Sequence, residues 1–297
     1  MTQESGLSKP HQRLTGILHM TGASLAFALM VLCVKWAVRG LPVFEVIFFR
    51  SVTGTLLIGM LILRKKVSFW GKDHGLLLLR GISGFTALAL HFFTISKLPL
   101  GLAVMLNFTA PVFAAVFAVF FLKEKPGFFL WTMILMSFAG VFFITVPSGM
   151  SLHTGGPKIL FIFLGLLSGL FAAIAYVSIR GIKHHESPLT IIFYFTFISM
   201  VGSAFFLPAG MRWPEPLEWL ALLGVAVGSF FGQLGMTVAF RKAPASLVSP
   251  FSYLTPAFAF LFGFIFWEET ITAHTIIGTV LIFLAGSLVS LREAVYE

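Results

Sequence analysis

Residues 97–124 read KLPLGLAVMLNFTAPVFAAVFAVFFLKE, and residues 242–269 read KAPASLVSPFSYLTPAFAFLFGFIFWEE. Laid over each other at an offset of 145, residues 96–124 and 241–269 share nine identities in 29 positions. The matched Phe and Ala count for little in so apolar a chain. The weight falls on Lys97/Lys242, Pro99/Pro244, Pro111/Pro256 and Glu124/Glu269, types that are rare inside apolar runs. At the same offset Lys35 falls on Arg180. Self-similarity at a fixed offset is the signature of an internal repeat.

The composition around this repeat requires a bilayer. The 297 residues are 58% hydrophobic and only 10% charged, with a net charge of +9 and a mean hydropathy of +0.98. Soluble domains carry about 25% charged residues, so this chain could not cover a folded surface with polar groups. A water-soluble enzyme, a disordered chain and a basic nucleic-acid-binding protein are all excluded. The single cysteine, Cys33, rules out an internal disulfide and a thiolate metal cluster. Asp73 is the only aspartate, which argues against membrane enzymes that hold a divalent cation between paired aspartates.

Ten apolar runs reach the roughly 20 residues needed to cross hydrocarbon. They cover 14–37, 43–63, 75–96, 100–122, 128–146, 158–180, 190–210, 217–240, 245–267 and 273–291. The first run is too long for a cleavable signal peptide and lacks a small-residue cleavage site. With the N-terminus inside, thirteen Lys and Arg fall in cytoplasmic segments against five outside, with Arg50 and Arg80 left within spans. That bias places both termini in the cytoplasm. The six tryptophans all lie near span ends, as an aromatic belt requires. The expected organisation is a tail at 1–13, a five-helix repeat at 14–146, a second at 158–291 and a tail at 292–297. Five is odd, so the second set enters from the opposite face. The expected fold class is thus an all-α membrane protein of ten transmembrane helices in two inverted five-helix repeats. Inverted repeats give a transporter symmetry-related states that open to opposite sides of a shared midplane site.

With its Pro-containing fourth helix of each half ending in Glu, the chain resembles the EamA branch of the drug/metabolite transporter superfamily. The matching residues are Lys97-Leu98-Pro99, Asn107 through Pro111 and Glu124, then Lys242-Ala243-Pro244, Tyr253 through Pro256 and Glu269. Phe48-Phe49-Arg50 in span two is similar to a stretch in which the family often carries an arginine. The resemblance covers about 14–291. It implies export or uptake of amino acids or other small metabolites, by alternating access around a cavity lined mainly by helices one, three, four, six, eight and nine.

Pro111 and Pro256 lie near the middle of spans four and nine. A proline inside a helix removes a donor and frees the carbonyl four residues before it, here at Asn107 and Ser252. Pro250 adds a second break, freeing Ser246. Irregular backbone at membrane depth belongs where it faces protein or a wet cavity, so these kinks are candidate cavity lining. Arg50 is either a fork for a substrate carboxylate or phosphate or a helix-pinning residue; Glu45, five residues away, is poorly spaced to pair with it. His91 titrates in a range suited to carrying a proton, and Gln233 can donate and accept without charge. Tyr176 and Tyr253 each offer a ring face and a hydroxyl. Glu124 and Glu269 are placed to favour the positive N-terminus of the next helix, with proton coupling as the other role. His184-His185-Glu186 is a weak metal signal. Gly165 with Gly169 and Gly224 with Gly228 have the spacing of close helix packing.

The substrate-binding set expected from sequence is therefore Arg50, His91, Asn107, Tyr176, Gln233, Ser252 and Tyr253. Its helix-kink set is Pro111, Pro250 and Pro256. No catalytic residue, metal or cofactor is called for, and no P-loop is present for direct ATP use. The favoured reading is a secondary transporter of zwitterionic or amphipathic solutes such as amino acids, in a bacterial inner membrane. Its partners are a small metabolite, the lipid bilayer and a co- or counter-transported proton or solute, with no nucleic acid. Competing readings are an uptake permease for vitamins, nutrients or phosphorylated metabolites, a channel or sensor, and a membrane-embedded lipid-metabolising enzyme. The last lacks the paired carboxylates or nucleophile–base pair it would need.

Overall fold

The structure, a computed structural model, describes residues 9–122, 128–145, 157–182, 186–207, 210–242, 248 and 251–296. These fold into α1 (Lys9–Ala37), α2 (Val43–Lys65), α3 (His74–Lys97), α4 (Leu100–Asn107), α5 (Ala110–Leu122), α6 (Phe128–Thr145), α7 (Pro157–Gly181), α8 (Pro188–Ala204), α9 (Pro216–Lys242), α10 (Leu254–Trp267) and α11 (Ala273–Tyr296). Helices α4 and α5 are the two halves of the fourth apolar segment. Arg13–Ala37, Val43–Lys65, His74–Lys97, Ile159–Ile179 and Pro216–Ala239 are each long and apolar enough to cross a bilayer. Leu100–Ala114, Trp131–Phe143, Pro188–Ala204, Leu254–Trp267 and Ala273–Leu288 are shorter apolar helices. Each of the ten expected apolar segments thus holds a helix among the described residues.

Helix starts and stops follow local chemistry. Pro42 and Pro99 stand just ahead of α2 and α4, where a missing N–H costs nothing. Ser187 caps α8, its hydroxyl accepting from the Leu189 N–H at 3.3 Å, with Pro188 next in the first turn. Lys66 enters the left-handed region (φ 51°) to close α2, its N–H turned back to the Ile62 and Leu63 carbonyls.

The bundle is inside-out relative to a soluble protein. Trp131, Leu135 and Phe142 of α6 and Ile276, Ile277 and Val280 of α11 are exposed, whereas Ser24, Ser51, Thr94, Ser168 and Ser199 are buried. A core of Met30, Val34, Ile47, Phe92, Leu102, Met105, Val225 and Ile282 runs between the helices. The principal neighbours are α1 with α9, α3 with α7, α2 with α8 and α6 with α11. The broken pair α4–α5 rests on α7, α10 rests on α1, and α4 touches α10. Exchanging the first five segments for the last five maps this pattern onto itself: α1–α9 becomes α7–α3, and α2–α8 is unchanged.

The spaced glycines are the seats of these contacts. A Cβ on Gly228 of α9 would stand 2.8 Å from the Ala26 carbonyl oxygen and 3.0 Å from the Met30 Cβ. On Gly169 of α7 it would meet the Thr109 hydroxyl at 2.6 Å and the Leu106 carbonyl at 3.1 Å. Close backbone approach of this kind drives helix association in lipid, where apolar burial does not. Gly228→Leu is expected to cost about 1–3 kcal/mol by overpacking against backbone that cannot yield. A fall in detergent melting temperature, absent for a lipid-facing control such as Leu223→Ala, checks this.

The two ends of the bundle are tied across the halves. At one end the Glu186 carboxylate accepts from the Lys72 and Asp73 N–H groups, the latter at 3.0 Å. Nearby, the Thr190 hydroxyl donates to the Ser68 carbonyl at 2.7 Å and Tyr194 to the Trp70 carbonyl at 2.8 Å. Glu186 therefore has a backbone-capping role, while His184 and His185 lie outside the described residues. At the other end Glu269 forms an ion pair with Lys35, and its two carboxylate oxygens accept from the Leu100 N–H at 2.9 and 2.8 Å. Lys35 also donates to the Leu98 carbonyl at 3.1 Å. Glu269 does meet a helix N-terminus, but that of α4 in the other half and not that of the following helix. Its turn explains this: Glu268 takes φ 54°, which swings Glu269 back over the bundle. Glu124 lies outside the described residues.

Candidate functional site

The fourth segment breaks outright, where sequence predicted a kink. Asn107 ends α4, Phe108 and Thr109 turn, and α5 begins at Ala110. Pro111 is thereby the second residue of a new helix, a position where no intrahelical donor is required. Two carbonyls of this turn find donors there. Leu106 O receives the Thr109 hydroxyl at 2.7 Å and its N–H at 3.3 Å. Phe108 O receives the Tyr253 hydroxyl at 3.3 Å. Asn107 points its amide at Ser168 of α7 (3.1 Å), so it fastens α4 to the neighbouring helix.

The ninth segment repeats the arrangement. Pro256 is the third residue of α10, which begins directly after Tyr253. This turn is tied to α1: the Ser24 hydroxyl donates to the Phe251 carbonyl at 2.9 Å, and Thr255 donates to the Ser24 carbonyl at 3.2 Å. Ser252 is half-buried beside Tyr253. Pro250 and Ser246 lie outside the described residues. Phe108 and Tyr253 are 145 residues apart, and their rings meet edge to face at 5.4 Å. Residues at equivalent places in the two halves thus touch each other at the two breaks.

A second such pair lies at the centre of α2 and α8. Arg50 and Phe195, also 145 apart, are in contact, with the guanidinium carbon 5.4 Å from the ring centroid. Arg80 of α3 stands over the same ring at 4.6 Å. The two guanidinium carbons are therefore within about 10 Å of each other, a like-charge repulsion of about 2 kcal/mol at an effective dielectric of about 20. Arg50 and Arg80 are only 5% and 9% exposed. Arg50 donates from Nε to the Ser229 hydroxyl of α9 at 2.5 Å, and Ser229 leans on the Met30 sulfur at 3.1 Å. Neither arginine is saturated: Arg50 Nη1 and Arg80 Nε have no hydrogen-bond partner among the described residues. Each cation–π contact offsets about 1–2 kcal/mol, less than the several kcal/mol of burying a guanidinium at membrane depth.

Tyr176 of α7 completes this centre. It is an electrostatic neighbour of both Arg80 and Tyr253. Its side chain is 44% exposed. Gln233 is half-buried on α9, one turn beyond Ser229. His91 is buried with Nδ1 unpartnered. It shares the Arg80 stripe of α3, eleven residues and about 16 Å of helix rise away, so it is not part of the arginine centre.

The structure thus links Arg50 to Arg80 through Phe195 and sets Tyr176 near Arg80 and Tyr253, while Asn107 is committed to Ser168 and His91 lies farther along α3. Sequence reading had set Arg80 aside and had not singled out Phe195 or Ser229. The signal for Phe195 was present, since an offset of 145 carries Arg50 onto it. Glu45, as its spacing from Arg50 indicates, is used elsewhere: it accepts from the Arg212 N–H at 3.3 Å.

The model of the EamA-like transporter family matches the chain twice, over residues 14–146 and 159–291. The pseudopaline exporter CntI of Pseudomonas aeruginosa (strain UCBPP-PA14) is 34% identical over 277 residues, covering 91% of this chain and 94% of that protein. The S-adenosylmethionine uptake transporter of Rickettsia prowazekii is 27% identical over 257 residues, covering 80% of each. A crystal structure of a protein 16% identical superposes with a TM-score of 0.66 over 95% of this chain and 98% of that one. At that identity the likeness concerns the fold alone.

Proposed function

Because the chain belongs to the EamA-like transporter family, we propose that it is a secondary transporter that moves zwitterionic or amphipathic organic solutes, such as amino acids, by alternating access. In this reading the two five-helix sets are an inverted repeat, and the solute sits between Arg50, Arg80, Tyr176, Gln233 and Tyr253. The observation that carries it is the meeting of equivalent residues, Arg50 with Phe195 and Phe108 with Tyr253. Those contacts support a two-fold relation between the halves, and Tyr176, the electrostatic neighbour of Arg80 and Tyr253, lies beside them. A shared site on such an axis is approached identically from both sides, which is what alternating access requires.

The chain sits in a bacterial inner membrane with both termini cytoplasmic, by the thirteen-to-five distribution of Lys and Arg. The Lys35–Glu269 end then faces outward. A co- or counter-moving proton or solute drives transport, and His91 is the buried side chain to test for the proton. One relative is named an exporter and another an uptake transporter, and the alternating cycle serves either direction.

The test is uptake and exchange in proteoliposomes, across amino acids, nucleosides, vitamins and phosphorylated sugars. Saturable transport of an amino acid or another amphipathic zwitterion is expected. Transport restricted to a multiply charged phosphate ester would overturn the solute class, and no transport of any solute would overturn the reading itself.

A further inference from the structure

Among the described residues the central arginines have no counter-charge. Glu45 serves the Arg212 loop, and Arg212 also pairs with Glu215 and Glu218. Glu186 caps backbone at one end, and Glu269 pairs with Lys35 at the other. Among the described residues no ion pair joins Arg50 or Arg80 to a carboxylate. Each is more than nine-tenths buried and each keeps an N–H without a partner. One serine hydroxyl and one phenylalanine ring cannot neutralise two cations in a membrane interior.

Resting on the transporter reading of this same site, we propose that Arg50 and Arg80 together bind an organic solute bearing two carboxylates. One carboxylate meets each guanidinium, and the connecting carbon chain lies against Phe195 and Tyr176. The chemistry fits at each point. A planar carboxylate matches the edge of a guanidinium, and Arg50 keeps Nη1 available after committing Nε to Ser229. Guanidinium centres within about 10 Å of each other suit two acids on a short chain. A single anionic group would leave one guanidinium buried and unpaired, at the cost such a charge carries. The bound diacid would also remove the repulsion between the two arginines, so the empty site is primed for net negative charge.

The test is calorimetric titration of the full-length protein in detergent with matched pairs: glutamate against glutamine, and succinate against butyrate. The diacid of each pair is expected to bind at least tenfold tighter. Arg80→Gln should bring glutamate down to the affinity of glutamine, and Arg80→Lys should keep part of the preference. If Arg80→Gln does not purify as a folded protein, the wild-type charge series and Arg80→Lys decide the matter. Equal binding within each pair, binding of phosphate esters alone, or a folded Arg80→Gln that keeps its preference would overturn the proposal. Proteoliposomes separate it from the reading beneath it. Diacid binding without uptake or exchange sinks transport and leaves the site, whereas transport of neutral solutes alone sinks the site and leaves transport.

Discussion

Arg50→Ala abolishes solute binding, with a loss of at least about 30-fold, while the protein remains folded in detergent. The magnitude follows from removing one partner of a buried charge pair between protein and ligand, which costs about 2–5 kcal/mol. The second half of the expectation separates function from scaffold. Arg50 makes one hydrogen bond, to Ser229, and lies over Phe195. Against those contacts stand the burial of its charge and its repulsion by Arg80. Removing it therefore leaves the melting temperature unchanged or raises it, as when a buried charge with poor compensation is replaced. Titration of the same solute into both proteins, beside their melting curves, checks both halves. A large fall in melting temperature would identify Arg50 as a helix-pinning residue, the alternative that sequence left open.

Glu269→Gln is expected to open the Lys35 end of the bundle. The carboxylate joins three elements there: the end of α1 through Lys35, the first N–H of α4 through Leu100, and its own turn after α10. Trp267 adds cation–π contacts to Lys35 at 5.2 Å and Arg39 at 5.4 Å. The amide can still accept from Leu100 but leaves Lys35 without its charge partner, in a position where both side chains are mostly buried. A loss of about 1–3 kcal/mol from one state shifts the balance of two states by about 5–150-fold. The reporter is Tyr176→Cys in a Cys33→Ala background, labelled by a membrane-impermeant maleimide added on the Lys35 side. Labelling at least five times faster in the Glu269→Gln protein is expected, and an unchanged rate would show that this cluster does not close the path.

The ten apolar segments and their pairing into halves were legible in the sequence because they rest on run length and on rare residues at a fixed offset. Pro99 and Pro244, or Lys97 and Lys242, are visible without knowing any contact. The glycine spacings were equally legible, since helical periodicity alone says which residues share a face. What the sequence did not disclose was which side chains meet across the halves. Arg80 reads as one more arginine within a span until α3 is packed against α8 and its guanidinium meets the Phe195 ring that Arg50 also meets. Glu269 reads as a cap for the following helix, because its turn at Glu268 has no clear signal in so polar a junction. Pro111 reads as a kink within a continuous helix. The chain instead turns at Phe108 and Thr109, and the carbonyls of Leu106 and Phe108 find new donors.

The contact between Phe108 and Tyr253 joins the same position of both halves. When the halves trade conformations in the proposed cycle, off-axis contacts such as Lys35 with Glu269 must part in favour of their counterparts, but this one maps onto itself. It can therefore serve as a fulcrum that persists through the whole stroke. Its chemistry is nonetheless lopsided: Tyr253 carries a hydroxyl that reaches the Phe108 carbonyl, and Phe108 has none to return. In the proposed cycle that hydrogen bond has no counterpart in the exchanged state, so it favours the arrangement seen here.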